Sequence, residues 1–151
     1  MTTASYLMAP ITRVQMIREG EISTRPMLTS PADAAELLTA LIRDEPQEVL
    51  VVITVTTKMR VLGVCEVYRG CIDSSPVRLA EIFRPAILQN AAGIFIAHNH
   101  PSGDPTPSAA DARVTRELAE VGRSLGLPLH DHLIIGESSW VSMRERGFIA
   151  A

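Results

Sequence analysis

The chain has 151 residues, a hydrophobic fraction of 46% and a formal net charge of −3. This length suits one domain with a substantial aliphatic core and is too short for two ordinary domains. The charge does not indicate a nucleic-acid-binding protein, because such proteins usually carry a basic surface. The sequence contains no apolar run of about eighteen residues and no export signal at its N-terminus, so we expect no membrane association and a cytoplasmic location.

The first residues differ in pattern from the remainder of the chain. Residues 1–29 have mixed polarity and no sustained hydrophobic period, and we interpret them as an N-terminal arm before a domain over residues 30–151. Within the arm, residues 11–17 are compatible with either a short strand or a short helix. Ser30 is a favourable N-cap, followed by proline and an acid at positions that suit the first helical turn. The sequence therefore predicts that the domain begins with a helix.

Apolar periodicity and turn residues predict an alternation of helices and strands. Helices are expected from Ser30 to Pro46, from Leu79 to Ala91 with a kink at Pro85, and from Ser108 to Gly126. Strands are expected over residues 49–55, 61–68, 94–100, 129–135 and 140–143. The first strand is almost entirely β-branched, which is typical of burial on both faces, and an antiparallel hairpin is its simplest connection to the second. This alternation predicts an α/β fold around a central sheet.

The most informative stretch lies between the third strand and the last helix. His98 and His100 are two residues apart at the strand end, so in extended geometry their side chains point to the same face. Asp111 falls in the first turn of the following helix, and the intervening turn can bring that helix back over the strand end. Two imidazoles and one carboxylate form a zinc ligand set that leaves a fourth position open for water, as in catalytic zinc sites.

A simpler interpretation exists for parts of this stretch. Ser108 and Asp111 have the spacing of a helix capping box, in which the serine caps the helix and the acid bonds back to it. A single buried histidine on a strand is also more often a core residue than a metal ligand. The combination of two histidines on one face, a proline-rich turn and an acid in the next helix favours a metal site. Capping and metal ligation by Asp111 do not exclude each other.

The sequence from His98 to Asp111 resembles the signature of the RadC family, a bacterial branch of the JAB/JAMM (MPN-type) metalloproteins. The JAMM pattern is an upstream glutamate, then His-x-His, seven residues, Ser, two residues and Asp. His98, His100, Ser108 and Asp111 meet this spacing. Asn99 stands where the deubiquitinating branch commonly has Ser or Thr, which favours the RadC side.

The resemblance covers residues from about Ser30 to the C-terminus. It implies a three-layer α-β-α domain with a mixed central sheet, which is the cytidine-deaminase-like architecture of MPN/JAB proteins. Full-length RadC proteins usually carry a helical, helix-hairpin-helix-like region where this chain has residues 1–29, which are too short to hold it. The part of the family pattern associated with DNA is therefore not expected here.

The resemblance also implies a function, namely a zinc-dependent hydrolase that cleaves an amide bond, either peptide or isopeptide, with a metal-activated water. A peptide or protein is then the expected substrate. His98, His100 and Asp111 would hold Zn²⁺, and an upstream glutamate would accept and return the proton of the water. The expected glutamate is Glu48, which directly precedes the first buried strand, and Glu66 is the second choice.

Two further candidates have competing interpretations. Glu45 is an alternative upstream acid, but its position indicates an exposed residue at a helix end. In JAMM proteins, the serine corresponding to Ser108 stabilises the oxyanion that forms as the carbonyl is attacked. We expect that one hydroxyl cannot easily serve both as a helix cap and as the oxyanion donor.

His130-Asp131-His132 forms a second cluster of potential ligands. On spacing alone the two histidines share a strand face and are compatible with another metal site. The RadC resemblance covers residues 131–136 without giving them a ligand role. We therefore expect a structural part, or that Asp131 or His132 orients a ligand or lines the cleft. Asp104 is expected to hold its loop through an Asx-type bond. Cys65 and Cys71 are expected to be reduced thiols.

A different class of function is also considered. The RadC name suggests a DNA-repair or mobile-element accessory protein that acts by binding, with a structural metal site, although the charge of the chain does not support it. A nuclease of the HNH type is disfavoured because that motif spreads its residues over a ββα unit. A zinc nucleobase deaminase is disfavoured because the chain lacks its H-x-E and P-C-x-x-C elements. The sequence leaves the oligomeric state open.

Overall fold

The computed structural model describes residues 25–70 and 77–150. They form three helices and five strands. The helices are α1 (Pro31–Ile42), α2 (Leu79–Leu88) and α3 (Ala109–Leu125). The strands are β1 (Val49–Val55), β2 (Val61–Arg69), β3 (Gly93–Asn99), β4 (Leu129–Ile135) and β5 (Trp140–Ser142).

The strands form one mixed sheet in the order β2-β1-β3-β4-β5. β1 is antiparallel to both of its neighbours, β2 and β3, which confirms the predicted hairpin. β3 and β4 are parallel, and helix α3 makes the crossover between them. Because β1 and β3 are antiparallel neighbours, the start of β1 and the end of β3 lie side by side at the same end of the sheet.

Helices cover both faces of this sheet. On one face, α1 packs Leu38 and Ile42 against the side chains of β1, β3 and β4. On the other face, α2 and α3 contribute Phe83 and Leu118 to a second core. β1 is buried along its whole length, as its composition predicts. The α/β class with a mixed central sheet and helices on both faces is thus confirmed.

The ends of the helices follow from their capping residues. Helix α1 begins with a capping box, in which Asp33 N–H donates to Ser30 Oγ at 3.2 Å and Ser30 N–H donates to Asp33 Oδ2 at 2.9 Å. Helix α2 contains Pro85 and ends at Leu88, three residues before the predicted end. The earlier end arises because Asn90 adopts a left-handed backbone with φ of 50°, which a helix cannot include.

Several expectations fall partly or wholly outside the described residues. Residues 11–17 and Cys71 lie outside them, whereas Cys65 is a free thiol. Leu28 is buried in the core beneath α1, and the division of the chain after residue 29 stays a prediction. None of the helices described here is long and apolar enough to cross a membrane, and the cytoplasmic location stays a prediction.

Candidate metal centre

Two acidic and two imidazole side chains converge at the end of the sheet where β1 begins and β3 ends. Glu48, His98, His100 and Asp111 each place one potential ligand atom within 4.8 Å of the others. The register explains this, because Leu50 pairs with His98 across the two antiparallel strands. Glu48, one residue before β1, therefore lies beside the two histidines, and the first turn of α3 supplies Asp111.

The distances within the cluster suit a small cation. His98 Nε2 lies 3.0 Å from His100 Nε2 and 3.1 Å from Asp111 Oδ1, and His100 Nε2 lies 3.3 Å from Asp111 Oδ2. Ligand atoms around a tetrahedral zinc ion are separated by roughly 3.3 Å, given bond lengths of about 2.0–2.1 Å. The three side chains therefore fit a zinc ion without a change of fold.

The hydrogen bond of His100 shows which of its nitrogens is available to a cation. His100 Nδ1 lies 2.8 Å from the backbone carbonyl oxygen of Asp104, which can only accept, so Nδ1 carries the proton. Nε2 is the remaining nitrogen, and it faces both His98 and Asp111. Two imidazole nitrogens at 3.0 Å repel if both present lone pairs, and a cation between them removes this repulsion.

The pKa shifts in the cluster follow from the same contacts. The hydrogen bond to Asp111 raises the pKa of His100, while burial opposes the rise. Burial raises the pKa of Asp111, but hydrogen bonds with His100 and His98 outweigh it and hold the pKa well below its usual range. Asp111 is therefore an anion, which is the form that ligates a metal.

Of the three candidate acids Glu45, Glu48 and Glu66, which all lie in the described part of the chain, only Glu48 belongs to the cluster. Its Oε1 lies 3.7 Å from His98 Nε2. Glu66 instead forms a two-pronged ion pair with Arg69, with both N–O distances at 2.8 Å. Glu66 pairs with Val51, whose side chain belongs to the α1 face, so it points away from the histidines. Glu45 accepts a second bond from Arg69 at 2.7 Å.

Ser108 and Asp111 form the capping box of α3. Asp111 N–H donates to Ser108 Oγ at 3.0 Å, and Ser108 N–H donates to Asp111 Oδ2 at 2.8 Å. Ser108 Oγ acts only as an acceptor in this box, so its own proton is still available for donation. Capping and donation by one hydroxyl are thus compatible, contrary to the expectation from the sequence.

The turn between His100 and α3 is held by its own polar groups. Asp104 Oδ1 accepts from the backbone N–H of Thr106 at 3.0 Å and from its hydroxyl at 2.7 Å. This is the loop-holding role that the sequence predicts for Asp104. A surface cleft of about 350 Å³ adjoins the turn and is lined in part by Arg43, His100 and Glu137.

The histidines of β4 do not form a second metal site, and the expectation that they share a face is wrong. A register shift between β3 and β4 at Ile94 and Phe95 reverses the usual alternation near the start of β4. His130 consequently packs its ring 5.3 Å from Phe95, on the α1 side of the sheet. His132 faces the opposite side, where its Nε2 lies 2.8 Å from His98 Nδ1. Burial lowers the pKa of His132.

Asn99 is a residue of this site that the sequence reasoning did not assign to it. It lies between the two histidines and points to the other face of the sheet, where it is fully buried. Its amide bonds to the segment that leads into β1, beside Glu48. The signal in the sequence is the uncharged amide of Asn99, in a strand whose other side chains are apolar or are candidate metal ligands.

The family model for RadC-like JAB domains matches residues 28–148. A UPF0758 protein from Clostridium beijerinckii is 47% identical over 122 residues, which cover 81% of this chain and 53% of that protein. One from Roseiflexus castenholzii is 46% identical over 137 residues, covering 91% of this chain and 58% of the relative.

A UPF0758 protein from Chloroflexus aurantiacus is 41% identical over 147 residues, which cover 97% of this chain and 64% of the relative. This chain therefore spans between about half and two thirds of the length of the curated relatives it matches.

Proposed function

Since the chain belongs to the RadC-like JAB domain family, we propose that it is a zinc-dependent hydrolase that cleaves an amide bond in a peptide or an isopeptide. The observation that carries this proposal is the convergence of His98, His100 and Asp111 with Glu48 beside them. A purely structural zinc site normally has four protein ligands, whereas a catalytic one has three and an adjacent acid or base. Three ligands with Glu48 beside them support the second type.

Each residue of the cluster has a distinct role in this reaction. His98 Nε2, His100 Nε2 and a carboxylate oxygen of Asp111 would hold the ion. Zinc bound there would act as a Lewis acid that polarises an amide carbonyl and acidifies a water molecule. Glu48 would accept a proton from the water that attacks the carbonyl and transfer it to the nitrogen of the leaving amine. Glu48 lies one residue before β1 and its side chain is 17% exposed, so its carboxylate is accessible to solvent and also contacts the cluster.

Ser108 contributes a hydrogen-bond donor. Because its oxygen accepts from Asp111 N–H, the hydroxyl group is held at the start of α3 with its proton directed elsewhere. A donor fixed in this way can stabilise the negative charge that develops on the carbonyl oxygen in the transition state. Because the capping bond already fixes the hydroxyl, the group does not have to be ordered during the reaction.

The expected substrate is a peptide or protein segment. The cleft beside His100, of about 350 Å³, can take a side chain or a short stretch of backbone next to the zinc ligands. Arg43, Asp44 and Glu137 line it together with His100, so its walls are polar and carry both signs of charge. Such walls suit the polar backbone of a peptide.

The alternative is an accessory protein of DNA repair or of mobile elements, in which the metal only stabilises the fold. That function predicts salt-dependent DNA binding and a bound metal without turnover. The formal net charge of −3 disfavours it.

The first test is the metal content of the purified protein by elemental analysis. We expect about one zinc ion per chain in the wild type and none in the double variant His98→Ala/His100→Ala. His130→Ala is the matched control, because it removes a histidine of the neighbouring strand that lies outside the cluster. Hydrolysis of peptide and isopeptide substrates by the zinc-loaded wild type then tests turnover. A wild-type protein that neither contains nor binds zinc would overturn the proposal.

A further inference from the structure

A chain of hydrogen bonds runs behind the candidate metal centre, through groups that the proposed reaction does not use. His98 Nδ1 lies 2.8 Å from His132 Nε2, His132 Nδ1 lies 2.6 Å from Thr115 Oγ1, and the Thr115 hydroxyl lies 2.7 Å from the backbone carbonyl oxygen of Asp111. His98, His132 and Thr115 are each at most 1% exposed. Solvent therefore cannot substitute for any partner in this chain.

The chain begins and ends at proposed ligands of the same metal ion. It starts on the ring of His98 in β3, crosses to His132 in β4 and to Thr115 in α3, and ends on the carbonyl of Asp111. Thr115 lies four residues after Asp111, so the two share one face of the helix and their bond is a local one. Three elements are thereby tied together directly behind the metal centre.

The direction of the chain follows from its last member. A carbonyl oxygen can only accept, so the Thr115 hydroxyl donates its single proton to Asp111. Thr115 Oγ1 must then accept from His132, which places a proton on His132 Nδ1. A neutral His132 with a proton on Nδ1 has a lone pair on Nε2 and accepts from His98 Nδ1.

We propose that His132 and Thr115 are positioning residues that hold His98 as the Nδ1–H tautomer, with the lone pair of Nε2 directed into the metal centre. This inference rests on the proposed function, because it gives His98 a purpose only if a metal binds there. Ligand histidines usually donate their second N–H to a carboxylate, a backbone carbonyl or water. Here the acceptor is the imidazole of His132. Because His132 accepts from His98 and donates to Thr115, the helix carbonyl that accepts from Thr115 also determines which nitrogen of His98 is protonated.

The opposite arrangement makes a clear contrast. If the Thr115 hydroxyl donated to His132 Nδ1, then His132 Nε2 would carry the proton and donate to His98 Nδ1. His98 would hold its own proton on Nε2, directed at Asp111, and could not bind a metal through that atom. The protonated nitrogen of His132 therefore distinguishes the two arrangements.

The primary experiment is nuclear magnetic resonance of the zinc-loaded protein with ¹⁵N-labelled histidine. Two-bond correlations between ring protons and nitrogens show which nitrogen of each histidine is protonated. We expect His132 as the Nδ1–H tautomer, and His98 with its proton on Nδ1. Observation of the Nε2–H tautomer at His132 would overturn the inference, even if zinc binds and the enzyme is active.

Zinc affinity, measured by competition with a chelating indicator, gives the second readout. His132→Leu removes the acceptor and should weaken zinc binding by about 10- to 100-fold, which is typical for loss of such a partner. His132→Gln offers an amide oxygen near the position of Nε2 and should restore most of the affinity. His130→Leu is the matched control on the same strand and should leave the affinity unchanged. Equal affinities of the wild type and His132→Leu would contradict a positioning role.

The hydroxyl of Thr115 is tested separately, in case His132→Leu fails to fold. Thr115→Val keeps the shape of the side chain but removes the acceptor for His132 Nδ1, whereas Thr115→Ser keeps the hydroxyl. We expect weaker zinc binding in Thr115→Val and near-normal binding in Thr115→Ser, with unfolding curves recorded for both metal-free proteins. Equal zinc affinities of Thr115→Val and Thr115→Ser would refute a role of the hydrogen-bond chain in holding His98. Failure of the wild type to bind zinc would instead refute the proposed function.

Discussion

The side-chain amide of Asn99 holds the backbone of Val49, with its oxygen accepting the Val49 N–H at 2.7 Å. Its NH₂ group donates to the carbonyls of Glu45 at 3.2 Å and Gln47 at 3.0 Å. One buried residue of β3 thus satisfies three backbone groups in the segment that enters β1. Because Glu48 lies within that segment, Asn99 fixes the backbone from which Glu48 reaches the cluster.

Replacing Asn99 should impair catalysis without removing the metal. Asn99→Ala leaves three backbone groups without their partner, and the buried Val49 N–H alone costs about 1–3 kcal/mol of stability when unsatisfied. We expect a lower midpoint of denaturant unfolding, a zinc content near that of the wild type and a reduced kcat, since Glu48 loses its fixed position. Loss of zinc with an unchanged kcat per bound metal would contradict this link.

Glu48 and Glu66 provide a matched pair for identifying the proton carrier. Glu48→Gln keeps the size of the side chain but removes its basicity, so kcat should fall by about 10²- to 10⁴-fold while zinc binding persists. Glu66→Gln breaks only the exposed contacts with Arg69 and should leave kcat unchanged. Steady-state kinetics with zinc-saturated proteins checks both expectations. Full activity of Glu48→Gln would show that another group carries the proton.

Ser108 and Ser30 separate helix capping from catalysis. Both serines accept from the backbone N–H three residues later, in the capping boxes of α3 and α1. Ser30→Ala and Ser108→Ala should each lower the stability by about 1 kcal/mol through loss of the cap. Only Ser108→Ala should also lower kcat, by about 10²- to 10³-fold, because it removes the proposed oxyanion donor. Similar kcat values in the two variants would limit Ser108 to capping.

The raised pKa of His100 predicts that increasing pH lowers the stability of the metal-free protein but raises its affinity for zinc. A histidine whose pKa is higher in the folded state stabilises that state below its ordinary value of 6.5, and this stabilisation is lost as the pH rises through the folded-state pKa. The metal-free protein should therefore lose stability as the pH rises above about 6.5. Zinc affinity should rise over the same interval, because zinc displaces the proton.

Thermal unfolding of the metal-free protein, recorded as a function of pH, tests the first of these effects. The His100→Gln variant is the reference, since it lacks the titrating ring but retains a polar side chain. The wild-type curve should fall relative to that of the variant above pH 6.5. A wild-type stability that rises relative to the variant in this interval would show that the sign of the shift is wrong.

The parts of the site predicted from the sequence are those set by local geometry. His98 and His100 share a face because a strand alternates every second residue, and Asp111 follows from the capping pattern of α3. The choice between Glu48 and Glu66 could be made only from position along the chain. It depends on the pairing of β1 with β2 and β3, which the hydrophobic pattern does not specify.

The features missed by the sequence depend on tertiary contacts. The separation of His130 from His132 requires the register shift between β3 and β4, and periodicity alone assumes regular alternation. The contacts of Asn99 join it to backbone groups about fifty residues away, and no local pattern indicates such a distance. The same limit applies to the overall fold, where elements were predictable but the strand order was not.

The capping box of α3 would also affect how a metal ion is taken up. Ser108 N–H holds Asp111 Oδ2, and the carbonyl of Asp104 holds the ring of His100, through bonds that need no ion. These two side chains are therefore already ordered in the folded protein before a metal binds. Zinc binding consequently does not have to drive folding, as it does in zinc fingers. We expect a chelator to withdraw the ion and leave the domain folded, which makes metal exchange reversible and allows other divalent ions to be loaded in its place.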